Sequence, residues 1–317
     1  MGRVHPELVA PQDRLVSQTS NGLIPGPLVD THVHVLSADR GRYPHHPTGL
    51  GRHWWSEPGR DAEGLVSVMD DQGVGRAIAA QAIGPYGYDN SYLLNAAAGH
   101  PDRLAAVPAV DVDDRTIDND ELAASIAGLA TSTGVVGVRL FGVAPASSWP
   151  GDEARARVAF RAAARAGIVI VLTVWPDQLQ ALTSLIRESS DSPVVLEHCG
   201  FPELSGDQVP EDAPLLALRA DENVRLKVTS HLIREAAANG DAAKLVAQLA
   251  GTFGAERLLW GSDYPQTDGD YGALLRDAAV AAEGLEADAR PGFFADNATQ
   301  TFFAGGRAMT ENQARGK

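Results

Sequence analysis

Residues 28–34 read LVDTHVH, a short apolar run that ends in two histidines separated by one residue. Seven further short runs of β-branched and apolar residues follow, and alanine-rich stretches of helical period lie between most of them. Buried strands that alternate with helices are typical of parallel sheets joined by crossover helices. Eight strands in this rhythm predict an α/β fold, and specifically a single-domain (β/α)8 TIM barrel.

The periodic pattern covers most of the chain but not its two ends. We expect the barrel over residues 26–305, an N-terminal arm over 1–25 and a C-terminal tail over 306–317, because both ends carry scattered charges without a period. The predicted strands are residues 28–35, 76–83, 104–110, 135–141, 168–174, 194–197, 224–228 and 258–261. The predicted helices include residues 62–72, 90–99, 121–130, 153–166, 177–188 and 242–253.

Charge and cysteine content exclude several classes of protein. The 317 residues include 26 Lys and Arg against 41 Asp and Glu, a formal charge of −15, so neither a nucleic acid nor a membrane is an expected partner. The single cysteine, Cys199, rules out an intrachain disulfide and a multi-cysteine metal site. The start of the chain lacks the apolar core of a signal peptide, and no apolar run approaches about 18 residues, which predicts a cytoplasmic protein.

Titratable side chains stand where three of the predicted strands end. Side chains alternate along a strand, so Asp30, His32 and His34 are expected on one face. His198 follows the sixth strand and Asp263 follows the eighth, which neighbours the first in a closed barrel. Imidazole and carboxylate are zinc ligands, and a carboxylate can also accept a proton from water. The four residues His32, His34, His198 and Asp263 are therefore predicted to form a catalytic or metal-binding cluster.

Other polar and aromatic residues near strand ends are candidates for substrate binding. Arg139, at the end of the fourth strand, is expected either to bind a substrate carboxylate or to form a structural ion pair. Trp175 is expected either to wall a ring-shaped substrate or to pack in the core. Cys199 is expected to be buried, turned away from His198 by strand alternation. The remaining predicted substrate contacts are Tyr86, Tyr88 and Asn90 after the second strand and Lys227 and His231 around the seventh.

Six segments, in order along residues 27–304, resemble the amidohydrolase superfamily, specifically its amidohydrolase-2 group. They are DTHVH at 30–34, QAIGPYGYDNSYLL at 81–94, GVVGVRLF at 134–141, LEHCG at 196–200, LLWGSDYP at 258–265 and DNATQTFF at 296–303. The resemblance implies a TIM-barrel hydrolase in which His32 and His34 are the strand-one pair. His198 and Asp263 then match the family's residues at strands six and eight.

Two departures from the family pattern limit the metal content that the resemblance implies. Metal-binding members usually carry a histidine at the end of strand five, where this chain reads LTVWP at 172–176, and two-metal members carry a lysine at strand four, where it reads VRLF at 138–141. We therefore expect at most one divalent ion, preferably zinc, bound by His32, His34 and Asp263 with His198 nearby. Metal-free catalysis stays open, with Asp263 as the base and the histidines polarising the substrate carbonyl.

Members that resemble this chain include lactonases acting on 2-pyrone-dicarboxylates, muconolactones and sugar lactones, and a second branch contains nonoxidative decarboxylases. We therefore expect a hydrolase that opens a carboxylated or hydroxylated lactone by attack of an activated water. The alternatives are a metal-dependent decarboxylase of an aromatic carboxylate and a catalytically inactive barrel that acts as a binding protein. The expected partner is a small-molecule substrate, and the sequence leaves a homo-oligomer open.

Overall fold

The computed structural model describes residues 28–50, 54–56 and 61–303, so the predicted arm over 1–25 and tail over 306–317 lie outside the described residues. The strands are β1 Leu28–Val33, β2 Val74–Ala80, β3 Leu104–Val107, β4 Ala109–Val110, β5 Gly137–Phe141, β6 Val169–Thr173, β7 Val194–Leu196, β8 Val224–Thr229 and β9 Leu258–Gly261. The α-helices are α1 Ala62–Gln72, α2 Ile83–Tyr86, α3 Ser91–Gly99, α4 Asn119–Leu129, α5 Glu153–Ala166, α6 Pro176–Glu188, α7 Ser230–Asn239, α8 Ala242–Phe253, α9 Tyr271–Ala281 and α10 Asn297–Phe302.

All strand pairs are parallel, in one sheet of order β1-β2-β3 and a second of order β4 to β9. Pro108 alone separates β3 from β4, because proline has no N–H to donate to a ladder. The two sheets also meet where β1 lies beside the segment after β9. There the backbone N–H of Asp263 donates to His32 O (2.7 Å), and the backbone N–H of His34 donates to Tyr264 O (2.8 Å). The predicted α/β class is confirmed, and the arrangement is consistent with a (β/α)8 barrel.

The apolar side chains of the strands form two layers. Val171 and Leu259 pack inside the ring of strands, together with Phe302 of α10. Their neighbours Ile170 and Leu258 pack outward against the helices, as alternation along a strand requires. One part of the interior is therefore filled by apolar side chains, and polar side chains occupy the ends of the strands.

Helix boundaries follow from capping residues that the sequence contains. Asp61, Asp152 and Asp241 each accept a backbone N–H at the start of α1, α5 and α8, and Gly73 and Gly167 end α1 and α5 in the left-handed conformation. The predicted bounds of these three helices agree with the structure, whereas α2, α7, α9 and α10 are not among the helices that the sequence analysis lists. Within the described ranges, no helix is long and apolar enough to cross a bilayer.

Candidate active site

Close packing of β9 against β1 brings together three of the predicted site residues, His32, His34 and Asp263. Gly261 ends β9, and a Cβ at this position would lie only 2.7 Å from the Cβ of His32, so the approach requires glycine. Asp263 Oδ1 then lies 3.4 Å from His32 Nε2 and 3.5 Å from His34 Nε2. All three side chains are buried. The strand-one pair and the strand-eight aspartate therefore form one cluster.

The carboxylate of Asp263 is held with one oxygen facing the histidines. The residue has a φ of 57°, a conformation that side-chain-bearing residues seldom adopt. Thr267 Oγ1 donates to Oδ2 (2.7 Å), which leaves Oδ1 directed at the imidazoles. Burial alone would raise the pKa of this carboxyl, but contact with His32 holds the pKa well below its ordinary value. Asp263 is therefore ionised at neutral pH.

His198 enters the cluster on an unusual turn that follows β7. Residues 198–201 have φ values of 53°, 55°, 73° and 49°, so four consecutive residues are left-handed and only Gly200 is a glycine. The Phe201 N–H donates to His198 O (2.9 Å) and closes the turn. Each left-handed non-glycine residue costs roughly 1–2 kcal/mol, and such strain is concentrated at functional sites. His198 Nδ1 lies 2.8 Å from Thr229 Oγ1, which orients the ring.

The lone pairs of the cluster indicate that a cation fits between them. His34 Nδ1 lies 2.9 Å from the carbonyl oxygen of Ala80, which can only accept, so Nδ1 carries the hydrogen and Nε2 of the neutral ring presents a lone pair. That lone pair faces Asp263 Oδ1, a second acceptor. Oδ1 of Asp263 and Nε2 of His32 are both buried without a hydrogen-bond partner. Buried acceptors that face one another are stabilised by a proton or a metal ion.

The donor set suits one divalent ion, provided that the ion displaces the proton of His32, whose pKa burial would lower but the neighbouring Glu197 raises. One ligand atom each from His32, His198 and Asp263 lie within 4.8 Å of one another. Burial lowers the pKa of His34, and it lowers that of His198 to about 3, so both rings are neutral as metal ligands must be. The two imidazoles and one carboxylate of that group are donors that zinc accepts, and His34, outside the group, has its Nε2 3.5 Å from Asp263 Oδ1.

Glu197, which sequence reasoning missed, lies behind this cluster. Its carboxylate is fully buried, with Oε1 3.2 Å from His32 Nδ1 and Oε2 2.7 Å from Arg139 Nη2. Thr173 Oγ1 donates to Oε2, and Lys227 Nζ lies 3.4 Å from Oε1. Burial would raise the pKa of Glu197, but the charges of Arg139 and His32 hold it well below its ordinary value. The sequence did contain a signal for Glu197, because it is an acidic residue at the end of a buried strand, and a buried carboxylate requires charged or hydrogen-bonding partners.

Both basic residues predicted to bind substrate contact Glu197. Arg139 is 4% exposed and also donates to Gln81 O (2.6 Å), and Lys227 is 0% exposed. Arg139 therefore forms the structural ion pair that the sequence left open as its second role. Contact of either residue with a substrate stays a prediction.

Two of the three predicted residues after β2 hold loops in place. The Tyr86 hydroxyl accepts from the Ser37 N–H (2.8 Å). Asn90 donates to Tyr88 O and Ala109 O and accepts from the Ala109 N–H, which attaches this loop to β4. Tyr88 is half-buried. Substrate contacts by Tyr86, Tyr88 and Asn90 stay predictions, and the structure adds a positioning role for two of them.

Aromatic side chains border the cluster on the side of His198. Phe201 stacks on His198 with ring centroids 4.6 Å apart, and Trp175 lies 4.9 Å from Phe201. Trp175 is 44% exposed and so is not a core residue. His231 is exposed, with its ring 6.1 Å from that of His198. The structure therefore brings Trp175 and His231 to the edge of the cluster, and it adds Phe201, which was not predicted.

Two expectations from strand alternation need correction. The pairing of β1 with β2 is irregular between Asp30 and Val33, and Asp30 does not join the two histidines. Its carboxylate instead accepts from the Tyr271 hydroxyl of α9 and from the Ser262 N–H, and so links β1 to β9. Cys199 lies in the left-handed turn rather than in the strand, although its side chain is buried as predicted. Burial raises the pKa of the thiol.

Comparison with known proteins supports the resemblance seen in the sequence. The amidohydrolase family profile matches residues 29–304. The chain is 28% identical over 283 residues to an L-fucono-1,5-lactonase from Burkholderia ambifaria, a match that covers 85% of this chain and 93% of the relative. The resemblance to the amidohydrolase-2 group, with its lactonase-like members, is confirmed.

Solved structures share the fold at low sequence identity. A probable 2-pyrone-4,6-dicarboxylic acid hydrolase from Acinetobacter baumannii, with citric acid bound, has a TM-score of 0.69 at 21% identity and covers 87% of this chain and 99% of its own. An amidohydrolase from Burkholderia multivorans with bound zinc has a TM-score of 0.61 at 22% identity, with coverages of 87% and 99%. A 2,6-dihydroxybenzoate decarboxylase from Rhizobium has a TM-score of 0.61 at 14% identity, with coverages of 88% and 99%. Hydrolases and decarboxylases thus both occur on this fold.

Proposed function

Because this chain belongs to the amidohydrolase family, we propose that it is a hydrolase that opens a lactone by attack of water, with Asp263 as the general base. The observation that carries the proposal is the Oδ1 atom of Asp263, which is buried and without a hydrogen-bond partner beside the imidazoles of His32 and His34. Similarity to an L-fucono-1,5-lactonase over 85% of the chain supports a lactone as the substrate.

In this reaction Asp263 accepts a proton from water as the water oxygen attacks the lactone carbonyl carbon. The tetrahedral intermediate then collapses, the bond to the ring oxygen breaks, and that oxygen takes the proton from Asp263. The product is a hydroxy acid. Asp263 is ionised at neutral pH, because its pKa lies well below the ordinary value, and its carboxylate therefore has a lone pair open to the proton, although the low pKa makes it a weaker base than an ordinary aspartate.

Stabilisation of the developing oxyanion cannot come equally from all three histidines. Neutral His34 has no hydrogen on Nε2, because Nδ1 donates to Ala80 O. Burial would lower the pKa of His32, but the Glu197 carboxylate raises it above the ordinary value, so His32 can carry hydrogens on both nitrogens. Without a metal, His32 and His198 would donate to the carbonyl oxygen. In the metal-free alternative, two of the three predicted histidines therefore act as hydrogen-bond donors to the substrate, and His34 does not.

The same residues would hold a single divalent ion. His32, His34, His198 and Asp263 would be the ligands, and zinc is the proposed metal because the donors are imidazole and carboxylate. When bound, the ion would polarise the carbonyl oxygen and lower the pKa of a water molecule. Glu197 would then accept a hydrogen bond from His32 Nδ1, an arrangement that favours a metal ligand at Nε2.

A metal-dependent nonoxidative decarboxylase of an aromatic carboxylate is the second candidate, supported by the decarboxylases that share the fold. The third expectation, an inactive binding barrel, accounts poorly for a complete set of buried donors. The test is an assay of the protein on a panel of lactones, with release of acid as the readout. A parallel assay uses 2,6-dihydroxybenzoate, with release of carbon dioxide as the readout. We expect acid release from at least one lactone, abolished in Asp263→Asn. Carbon dioxide release without lactone opening would favour the second candidate.

A further inference from the structure

We propose that Trp175 and Phe201 form a stacking platform for the ring of an uncharged, polyhydroxylated lactone. This inference rests on the proposed function and names the substrate class of the same site. It uses two aromatic residues that take no part in the proton transfers, one of which was absent from the sequence-based site.

Aromatic rings continue the row of catalytic histidines at both of its ends. Trp54 lies beside His34, and Phe201 and Trp175 lie beside His198. The successive centroid distances are 5.5 Å for Trp54 to His34, 4.9 Å for His34 to His32, 5.0 Å for His32 to His198, 4.6 Å for His198 to Phe201 and 4.9 Å for Phe201 to Trp175. A ring-shaped substrate whose carbonyl reaches the histidines can therefore extend over an aromatic surface.

The large apolar side chain of Trp175 is exposed to water, which is unfavourable. Among the described residues only Trp175 and Val280 are large hydrophobic residues with exposed side chains, at 44% and 57%. The Trp175 backbone N–H donates to Gln178 Oε1 (2.9 Å) at the start of α6, so the residue sits on a fixed helix terminus. Aromatic faces carry partial negative charge and attract the slightly positive C–H groups of a saturated ring. An exposed indole held against a catalytic cluster suits that contact.

The charges of the site argue against an anionic substrate. Arg139 and Lys227 are the basic residues at the adjacent strand ends, and both are buried against Glu197. Binding of a substrate carboxylate would draw either residue away from the buried Glu197 carboxylate, and loss of one partner of a buried ion pair is costly. Hydroxyl groups need no such counter-charge, so the site favours a neutral sugar-type lactone.

The test compares the variants Trp175→Ala and Trp175→Phe with wild type, and Val280→Ala is the control for loss of an exposed hydrophobic side chain. The probes are D-glucono-1,5-lactone as the hydroxylated neutral ring and 2-pyrone-4,6-dicarboxylate as the anionic ring. We expect Trp175→Ala to raise KM for the sugar lactone roughly three- to tenfold with kcat within about twofold, as the loss of one aromatic contact predicts. Trp175→Phe and Val280→Ala should leave KM within about twofold of wild type.

The outcomes separate this inference from the proposed function. An unchanged KM in Trp175→Ala overturns the platform, and a higher kcat/KM for the dicarboxylate than for the sugar lactone overturns the uncharged class, while lactone hydrolysis stands in both cases. If neither probe is hydrolysed, tryptophan fluorescence is used to monitor the binding of 1,5-anhydro-D-glucitol. Quenching of wild-type fluorescence by this ligand that is lost in Trp175→Phe would support the platform even in the absence of measurable hydrolysis. No quenching in wild type would overturn the platform.

Discussion

Glu197 Oε1 lies 3.2 Å from Nδ1 of His32, on the side of the ring opposite to Asp263. A carboxylate at this position holds the imidazole in one orientation and increases the basicity of its other nitrogen. Glu197 is in turn held by Arg139 and Lys227. The orientation of His32 therefore depends on an ion-pair network contributed by three other strands.

Replacement of Glu197 by glutamine should impair both activity and stability. The variant keeps the shape of the side chain but leaves Arg139 and Lys227 without a counter-charge. We expect kcat/KM to fall about 10–100-fold and the free energy of unfolding to fall by about 3–5 kcal/mol. Steady-state kinetics and urea unfolding measure the two effects. Glu203→Gln, at an exposed position, should match wild type, and a Glu197→Gln enzyme with normal kinetics would rule out the positioning role.

Replacement of Asp263 by asparagine should abolish turnover with the fold retained. An amide has the shape of the carboxylate but cannot accept the proton from water, and the loss of a general base lowers rates roughly 10²–10⁴-fold. The comparison is kcat on a hydrolysed lactone, with circular dichroism to verify the fold. Asp288→Asn on the surface is the matched control. Turnover close to that of wild type would exclude Asp263 as the base.

Metal analysis should find at most one equivalent of divalent ion per chain, with zinc expected. His198→Gln should reduce the bound metal, because it removes one of the clustered ligand atoms. His231→Gln should not, because His231 lies outside that group. Chelation followed by addition of zinc then shows whether activity depends on the ion. Two tightly bound equivalents would contradict the expected limit.

Asn90→Ala should destabilise the protein more than it affects chemistry. The side chain makes three hydrogen bonds to the backbone at Tyr88 and Ala109, and the loss of buried partners costs about 1–3 kcal/mol. Urea unfolding should show this loss, whereas exposed Asn239→Ala should stay within about 0.5 kcal/mol of wild type. If Asn90 instead mainly contacts substrate, KM will rise with no change in the unfolding midpoint.

Acid should weaken the start of α5 through Asp152. The Arg155 N–H and the Arg115 guanidinium bind its carboxylate and lower its pKa below the ordinary value. A group whose pKa is lower in the folded state stabilises the fold above its unfolded pKa and loses this contribution as pH falls. The decrease in urea midpoint between neutral pH and about pH 3 should therefore be smaller in Asp152→Asn than in wild type. An equal decrease in both proteins would contradict this role.

The cluster could be predicted from sequence because parallel strands bring their carboxyl ends together. His32 and His34 lie near the end of one predicted strand, and His198 and Asp263 follow two others within two residues, so their proximity followed from the fold. The role of Glu197 could not be predicted in this way. Its partners Arg139 and Lys227 come from other strands, and strand order does not specify which charges pair in the interior.

Backbone conformation explains the remaining differences. The irregular pairing between Asp30 and Val33 changes which residues of β1 share a face, so simple alternation misplaced Asp30. The left-handed turn at residues 198–201 contains one glycine, and nothing in the other three residues indicates a positive φ. Both features depend on the surrounding packing rather than on local propensity.

That turn also links reactivity to substrate choice. His198 and Phe201 are the two ends of one hydrogen-bonded turn and their rings stack, so a substitution of Phe201 also removes a packing contact of the His198 imidazole. Trp175 belongs to a different element, at the start of α6, and its ring packs against Phe201 rather than against His198. Changes in specificity that preserve catalytic rate should therefore accumulate at 175 rather than at 201, which makes position 175 the better target for engineering a new substrate range.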